Sequence, residues 1–183
     1  MKKTSPRATI LQATLECIVA HGIDGTSLRI VADKAGVSLG SLGYYFQDKD
    51  GLLGAAFMSF VEASAIEFAQ YYEGVDTLEA AREATAQMLI DTASNRTSII
   101  LGSELYNLSL RRPRHRIILD EWTKRCRAVM ATYFDEDTTF ILDAFYEGVI
   151  LHRSMRLGEY ADDRIRTAIE RLTPPESFAV AAS

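Results

Sequence analysis

The chain has 183 residues, 48% apolar and 25% charged, with a net charge of −5. Such a balance fits a soluble globular protein of one domain, or a small domain joined to a larger one, whose core needs no metal or disulfide staple. Two cysteines, Cys17 and Cys126, are too few for a disulfide framework and read as buried free thiols in a reducing cytoplasm. No apolar run approaches the roughly 18 residues of a membrane span, and the basic start leads into no signal-peptide core, so neither a membrane nor secretion is expected.

The acidic total argues against nucleic acid, but the charge is uneven. Residues 1–53 hold six Lys/Arg and five Asp/Glu, a net of +1, while the remaining 130 hold 14 and 20, a net of −6. A DNA reader needs a positive face, not a positive whole.

Helical spacing dominates from end to end, and only four prolines interrupt it, at positions 6, 113, 174 and 175. An all-α protein of about nine helices is predicted. The first helix covers residues 6–21, capped by Ser5, with Pro6 at its first position and Gly22 as its stop. Ile10, Leu11, Leu15 and Ile18 form its apolar stripe, interrupted by Thr14. Thr26 or Ser27 caps a second helix reaching Ala35, and a third covers residues 39–46. Asp48 caps a long fourth helix over residues 49–72. Asp76 and Glu79 read as a capping box for a helix ending near Ala93. Further helices are expected over residues 96–111, from Pro113 to about Phe134, from Thr138 to Leu157 with Gly158 as its stop, and over 161–172. Pro174-Pro175 should end regular structure.

Residues 27–46 carry the chemistry. A helix-turn-helix needs a small residue where its helices cross, a glycine in the turn, and an apolar residue that locks the second helix onto the first. Ala32, Gly36 and Leu42 stand at that spacing, and Val31, Ala35, Val37 and Phe46 complete a miniature core. The second helix is left with Leu39, Gly40, Ser41, Gly43, Tyr44 and Tyr45. Two glycines, each costing about 1 kcal/mol in a helix interior, beside two tyrosines are odd for a merely soluble surface. They fit a backbone that must approach a phosphate or base edge, with hydroxyls that bond phosphates.

Residues 22–53 resemble the TetR family of bacterial transcriptional repressors. Gly25-Thr26-Ser27-Leu28-Arg29-Ile30-Val31-Ala32 looks like that family's second helix. Gly36-Val37-Ser38-Leu39-Gly40-Ser41-Leu42 matches its turn and recognition helix, and Tyr45-Phe46-Gln47-Asp48-Lys49-Asp50-Gly51-Leu52-Leu53 its passage into helix four. The family commonly has Tyr directly after the recognition-helix Leu. Gly43 stands there in this chain, with Tyr44 and Tyr45 following.

The resemblance implies a DNA-binding domain at residues 1–48 and a helical ligand-binding and dimerisation domain at 49–183. It implies phosphate contacts from Arg29 and Lys49, hydroxyls and helix N-terminal amides from Thr26 and Ser27, and major-groove contacts from Ser38, Leu39, Gly40, Ser41, Gly43 and Tyr44. Tyr45 would touch the DNA backbone. Lys2, Lys3 and Arg7 would form a basic arm adding salt-sensitive affinity. Double-stranded operator DNA is the expected partner, with a second copy of the chain, since one short helix makes few contacts.

The helix over residues 138–157 is apolar on more than one side, where a surface helix needs one stripe. Its second stripe fits a partner chain. Leu142, Phe145, Gly148, Val149, Leu151, His152 and Met155 are expected at a homodimer interface, with Ile165 and Ile169 of the last helix. An effector cavity, which the family resemblance implies, would involve Met88, Glu104, Tyr106, Asn107, Trp122 and Cys126. The basic run at residues 111–116 reads as an exposed helix junction. The three histidines, His21, His115 and His152, lack metal-ligand spacing, and no phosphate-cradling or nucleophile-elbow glycine motif is present. No enzyme activity and no cofactor are therefore expected. A helical adaptor acting through protein contacts without operator binding is the alternative.

Overall fold

The computed structural model describes residues 5–156 and 161–179. Among the described residues there are nine α-helices and two short 3-10 turns. They are α1 (Pro6–Gly25), α2 (Leu28–Ala35), α3 (Leu39–Tyr45), α4 (Lys49–Gln70), α5 (Leu78–Thr92), α6 (Arg96–Arg111), α7 (Arg116–Met130), α8 (Glu136–Ser154) and α9 (Asp162–Leu172). The chain groups into two compact units, Met1–Ala63 with Ile100–Asp120, and Ser64–Ile99 with Glu121–Ser183. Lys2, Lys3, Leu157 and Gly158 lie outside the described residues.

In the first unit the Ser5 side chain caps α1 by accepting from the Ala8 N–H at 3.2 Å. Thr14 is buried on the apolar stripe, and its hydroxyl donates to the Ile10 carbonyl at 2.8 Å. The polar interruption is thereby satisfied inside the helix. Gly22 breaks the helix at φ +68°, and a short helical segment follows to Gly25. Gly36 closes α2 in the left-handed region at φ +67°, a conformation that favours glycine. Ile10, Leu11, Val31, Ala32, Leu42, Phe46, Leu52 and Ala56 form one buried cluster, with Ala35 and Val37 packed partly against it. The core expected around Leu42 is therefore observed, and α1 and the first turns of α4 complete it.

In the second unit α5 packs on α8 and α9. Met88, Leu89, Phe134, Leu142, Val149, Ile165 and Ile169 share its core. Several expectations need correction here. Thr77, not Asp76, caps α5, accepting from the Ala80 N–H at 3.2 Å. The helix expected from Pro113 begins as a 3-10 turn and ends at Met130. Structure also continues past Pro174-Pro175. The Asp135 N–H donates to the Ser177 carbonyl and the Ala179 N–H to the Tyr133 carbonyl, both at 2.9 Å, which ties residues 177–179 to the connection between α7 and α8.

The hydropathy of α4 is a further correction. The helix is long and apolar enough, by length and composition, to cross a membrane. A core helix passes the same test, and Leu52, Leu53, Ala56, Phe57, Phe60, Val61 and Phe68 of α4 are buried in the fold.

Candidate nucleic-acid interface

Two serines start the helices of the candidate interface. The Ser27 side chain accepts from the Ile30 N–H at 3.3 Å, and the Ser38 side chain accepts from the Ser41 N–H at 3.0 Å. Both are exposed. Their oxygens are used as caps, which leaves each hydroxyl its one proton to donate. Thr26 corrects the expectation for its hydroxyl. It is buried and donates to the Gly22 carbonyl at 2.8 Å, so its one proton is committed to the turn.

Leu42 is the one buried residue of α3. Its neighbours Leu39, Gly40, Ser41, Gly43, Tyr44 and Tyr45 are all exposed. Tyr44 stands out furthest, at 84% exposure, with its ring edge-on to Tyr45 at 5.1 Å. A Cβ added at Gly43 would meet nothing within 4 Å, and one at Gly40 only the Ser38 Oγ at 3.8 Å. Neither glycine is required by packing inside the chain.

Arg29 is exposed on α2. Lys49 opens α4, and its Nζ donates to the Asp24 carbonyl at 3.4 Å. The Asp48 carboxylate caps the same turn by accepting from the Gly51 N–H at 2.7 Å. Arg7, from the expected basic arm, lies 5.7 Å from the centroid of the Phe46 ring.

Asp50 is a site residue that sequence reasoning missed. Its carboxylate receives Arg112 Nη1 at 2.7 Å, Arg114 Nη2 at 2.6 Å and His115 Nε2 at 3.0 Å. Burial pushes its pKa up, but the hydrogen bonds from His115, Arg112 and Arg114 outweigh that and hold it at about 2, below the usual 3.8. Its stabilisation is complete above about pH 4 and fades as pH falls through about 2. Asp50→Asn is expected to flatten the acid limb of thermal stability between those values, as measured by melts across pH. No sequence signal links position 50 to residues 62–65 places away.

The family model for bacterial regulatory proteins of the tetR family matches residues 10–56. Over 49 residues the chain is 49% identical to the HTH-type transcriptional regulator BetI of Burkholderia thailandensis. That match spans 27% of this chain and about a quarter, 25%, of the relative's length. A member of the TetR family from Streptomyces coelicolor A3 is similar throughout, with a TM-score of 0.79, 30% identity, and coverage of 93% of this chain and 99% of that one. The chain belongs to the TetR family. That is a family of regulatory proteins, not of enzymes. The chain is also similar to the multidrug binding protein EbrR complexed with ethidium, at a TM-score of 0.78 and 30% identity, covering 93% of this chain and 99% of that one.

The six residues expected at an effector cavity divide between the two units: Glu104, Tyr106 and Asn107 in the first, Met88, Trp122 and Cys126 in the second. Asn107 is exposed and accepts from Arg111 Nε at 3.0 Å, which corrects its reading as a cavity anchor. Glu104 Oε1 lies 3.2 Å from where a Gly22 Cβ would stand. Met88 is buried in the second core, and Cys126 and Trp122 are half-buried. Burial pushes the Cys126 thiol up to about 12, so it stays protonated and inert.

The expected dimer residues also divide. Leu142, Val149, Ile165 and Ile169 are buried in their own unit, and Phe145 packs partly against the same core. This corrects the assignment of Leu142, Val149, Ile165 and Ile169 to an interface, because that core already uses their surface, whereas Phe145 keeps part of its own exposed. Leu151, His152 and Met155 remain exposed, and a Cβ at Gly148 would meet nothing within 4 Å. With Ile141 and Ala144, also exposed, they mark an outward stripe at helical spacing on α8. The exposed positions of α9, Asp162, Asp163, Arg164, Thr167, Glu170 and Arg171, are polar.

Proposed function

We propose that the chain is a ligand-responsive transcriptional regulator, a repressor that binds a palindromic operator as a homodimer. The observation that carries this reading is the geometry of α3. Leu42 alone is buried, and every other side chain of this seven-residue helix is presented to solvent. The family membership supports the same role. Residues 1–48 are the reading domain, and 49–183 carry dimerisation and effector response.

In this reading Ser38, Leu39, Gly40, Ser41, Gly43 and Tyr44 face the major groove. Ser27, Arg29, Tyr45 and Lys49 hold phosphates. None of the base-facing residues is Arg, Asn or Gln, so DNA shape shares the readout with direct contacts. The exposed α8 stripe is the surface a second copy covers. The effector is a small apolar or amphipathic molecule, a class supported by the ethidium complex of the similar EbrR.

Gly43 gives a two-sided expectation. Gly43→Ala removes a helix-interior glycine at a position with open space, so stability should rise by roughly 0.5–1 kcal/mol. Operator affinity should fall, because the added methyl stands on the DNA-facing surface. Thermal melts and binding titrations read the two effects separately.

Capture of sheared genomic DNA by the purified protein, followed by sequencing, tests the function. An enriched inverted repeat with half-sites about one helical turn apart is expected. Recovery of random DNA would favour the adaptor reading.

A further inference from the structure

We propose that Asp50 is the positioning residue through which the corner between α6 and α7 holds the DNA-reading head in its binding geometry. The inference rests on the operator-binding reading above. The basic run at residues 111–116 looks like an exposed junction in sequence. In the structure three of its side chains, Arg112, Arg114 and His115, converge on this one carboxylate.

The arrangement exceeds what an ordinary helix start needs. An acid in the first turn of α4 is already favoured by the helix dipole. Asp50 is in addition only 15% exposed as a side chain and carries three donors from a segment more than 60 residues away. His115 is buried, and its ring lies against α4 beside Gly54, where a Cβ would stand at van der Waals distance, 3.5 Å, from His115 Cε1. Isolated exposed ion pairs contribute little. Three donors on one covered carboxylate form a network whose loss leaves a buried imidazole unpaired.

Position makes the network consequential. Asp50 follows Lys49 directly and stands four residues after Phe46, which is buried with α1 and α2. Whatever holds Asp50 therefore holds the phosphate-binding lysine and the exit of α3. At the other end, α6 and α7 each belong to both units: residues 96–99 and 121–130 lie in the second, and the corner between the helices lies in the first.

Binding of operator DNA, measured by anisotropy across a salt series, separates positioning from direct contact by sign. Asp50→Asn removes a negative charge beside a phosphate-binding lysine, and through charge alone it would tighten DNA binding. The positioning role predicts a loss instead, of about tenfold. Arg112→Gln with Arg114→Gln should weaken binding similarly while leaving the salt slope at the wild-type value. Direct phosphate contacts from both arginines would lower that slope by about 1.8, at roughly 0.9 per contact. Circular dichroism confirms that each variant is folded at the assay temperature, and the double variant serves if Asp50→Asn is not.

Amide hydrogen exchange without DNA gives an independent readout. Asp50→Asn, or the double variant, should speed exchange over residues 49–54 and leave residues 78–92 unchanged. Asp50→Asn binding as tightly as wild type or tighter, a slope lowered by about 1.8, or unchanged exchange at 49–54 would each overturn the proposal. If the wild type itself binds no operator, the DNA reading fails, and exchange alone still decides whether this network fixes the start of α4.

Discussion

Leu42→Ala is expected to destabilise the first unit by roughly 2–5 kcal/mol and to abolish operator binding. Leu42 is fully buried, and it is the one residue by which α3 is rooted in the cluster formed with Ile10, Val31, Ala32 and Phe46. A seven-residue helix has no stability of its own, because helix nucleation is costly and few hydrogen bonds follow. Trimming Leu42 leaves a cavity under α3 and removes the contact that orients Tyr44 and Leu39. Hydrogen exchange should rise sharply over residues 39–45, whereas residues 78–92 of the second unit keep their protection. Native-like protection of α3 in this variant would show that its anchorage lies elsewhere.

Leu151→Glu is expected to convert a dimer to a monomer and to weaken operator binding about 100-fold or more. The loss is large because each monomer then binds one half-site alone, without the effective concentration that a linked second head supplies. Leu151 is 47% exposed and Met155 61% exposed, on the same outward stripe as Ile141, Ala144 and Gly148. In the proposed dimer, a glutamate there places a charge where the second copy would exclude water. Folding should be spared, since the stripe lies outside the core of Leu142 and Val149. Sedimentation velocity reads the outcome: a species of the 20.4 kDa chain mass for the variant, and twice that for the wild type. A Leu151→Glu protein that remains dimeric would move the interface away from α8.

The helix-turn-helix was legible because its determinants are local. Ala32, Gly36 and Leu42 act through spacing within one hairpin, and Gly22 and Gly36 adopt the positive φ that their places at helix ends imply. Element boundaries failed where two residues could serve equally: Asp76 and Thr77 are both good caps, and only the backbone shows that Thr77 accepts from Ala80. The two-sided apolar pattern of α8 was also visible, but periodicity does not say which stripe faces its own core. Leu142 and Val149 turned inward, and Leu151 and Met155 outward. Phe178 was hidden behind Pro174-Pro175, which looks like an ending. In fact the segment pairs with Phe134 and packs on the second core. Asp50 and its donors were illegible, since no period relates a carboxylate in the first turn of α4 to a basic run at a distant corner.

The proposed function requires α3 to read DNA in a paired, sequence-specific way. Fluorescence anisotropy on the captured inverted repeat, its isolated half-site and a scrambled duplex tests it most directly, with wild type and Tyr44→Ala compared across a salt series. Tight, steeply salt-dependent binding to the full repeat is expected, with binding weaker by about 100-fold or more to the half-site and a loss on Tyr44→Ala. Equal affinity for repeat and scrambled DNA, unchanged by Tyr44→Ala, would contradict it.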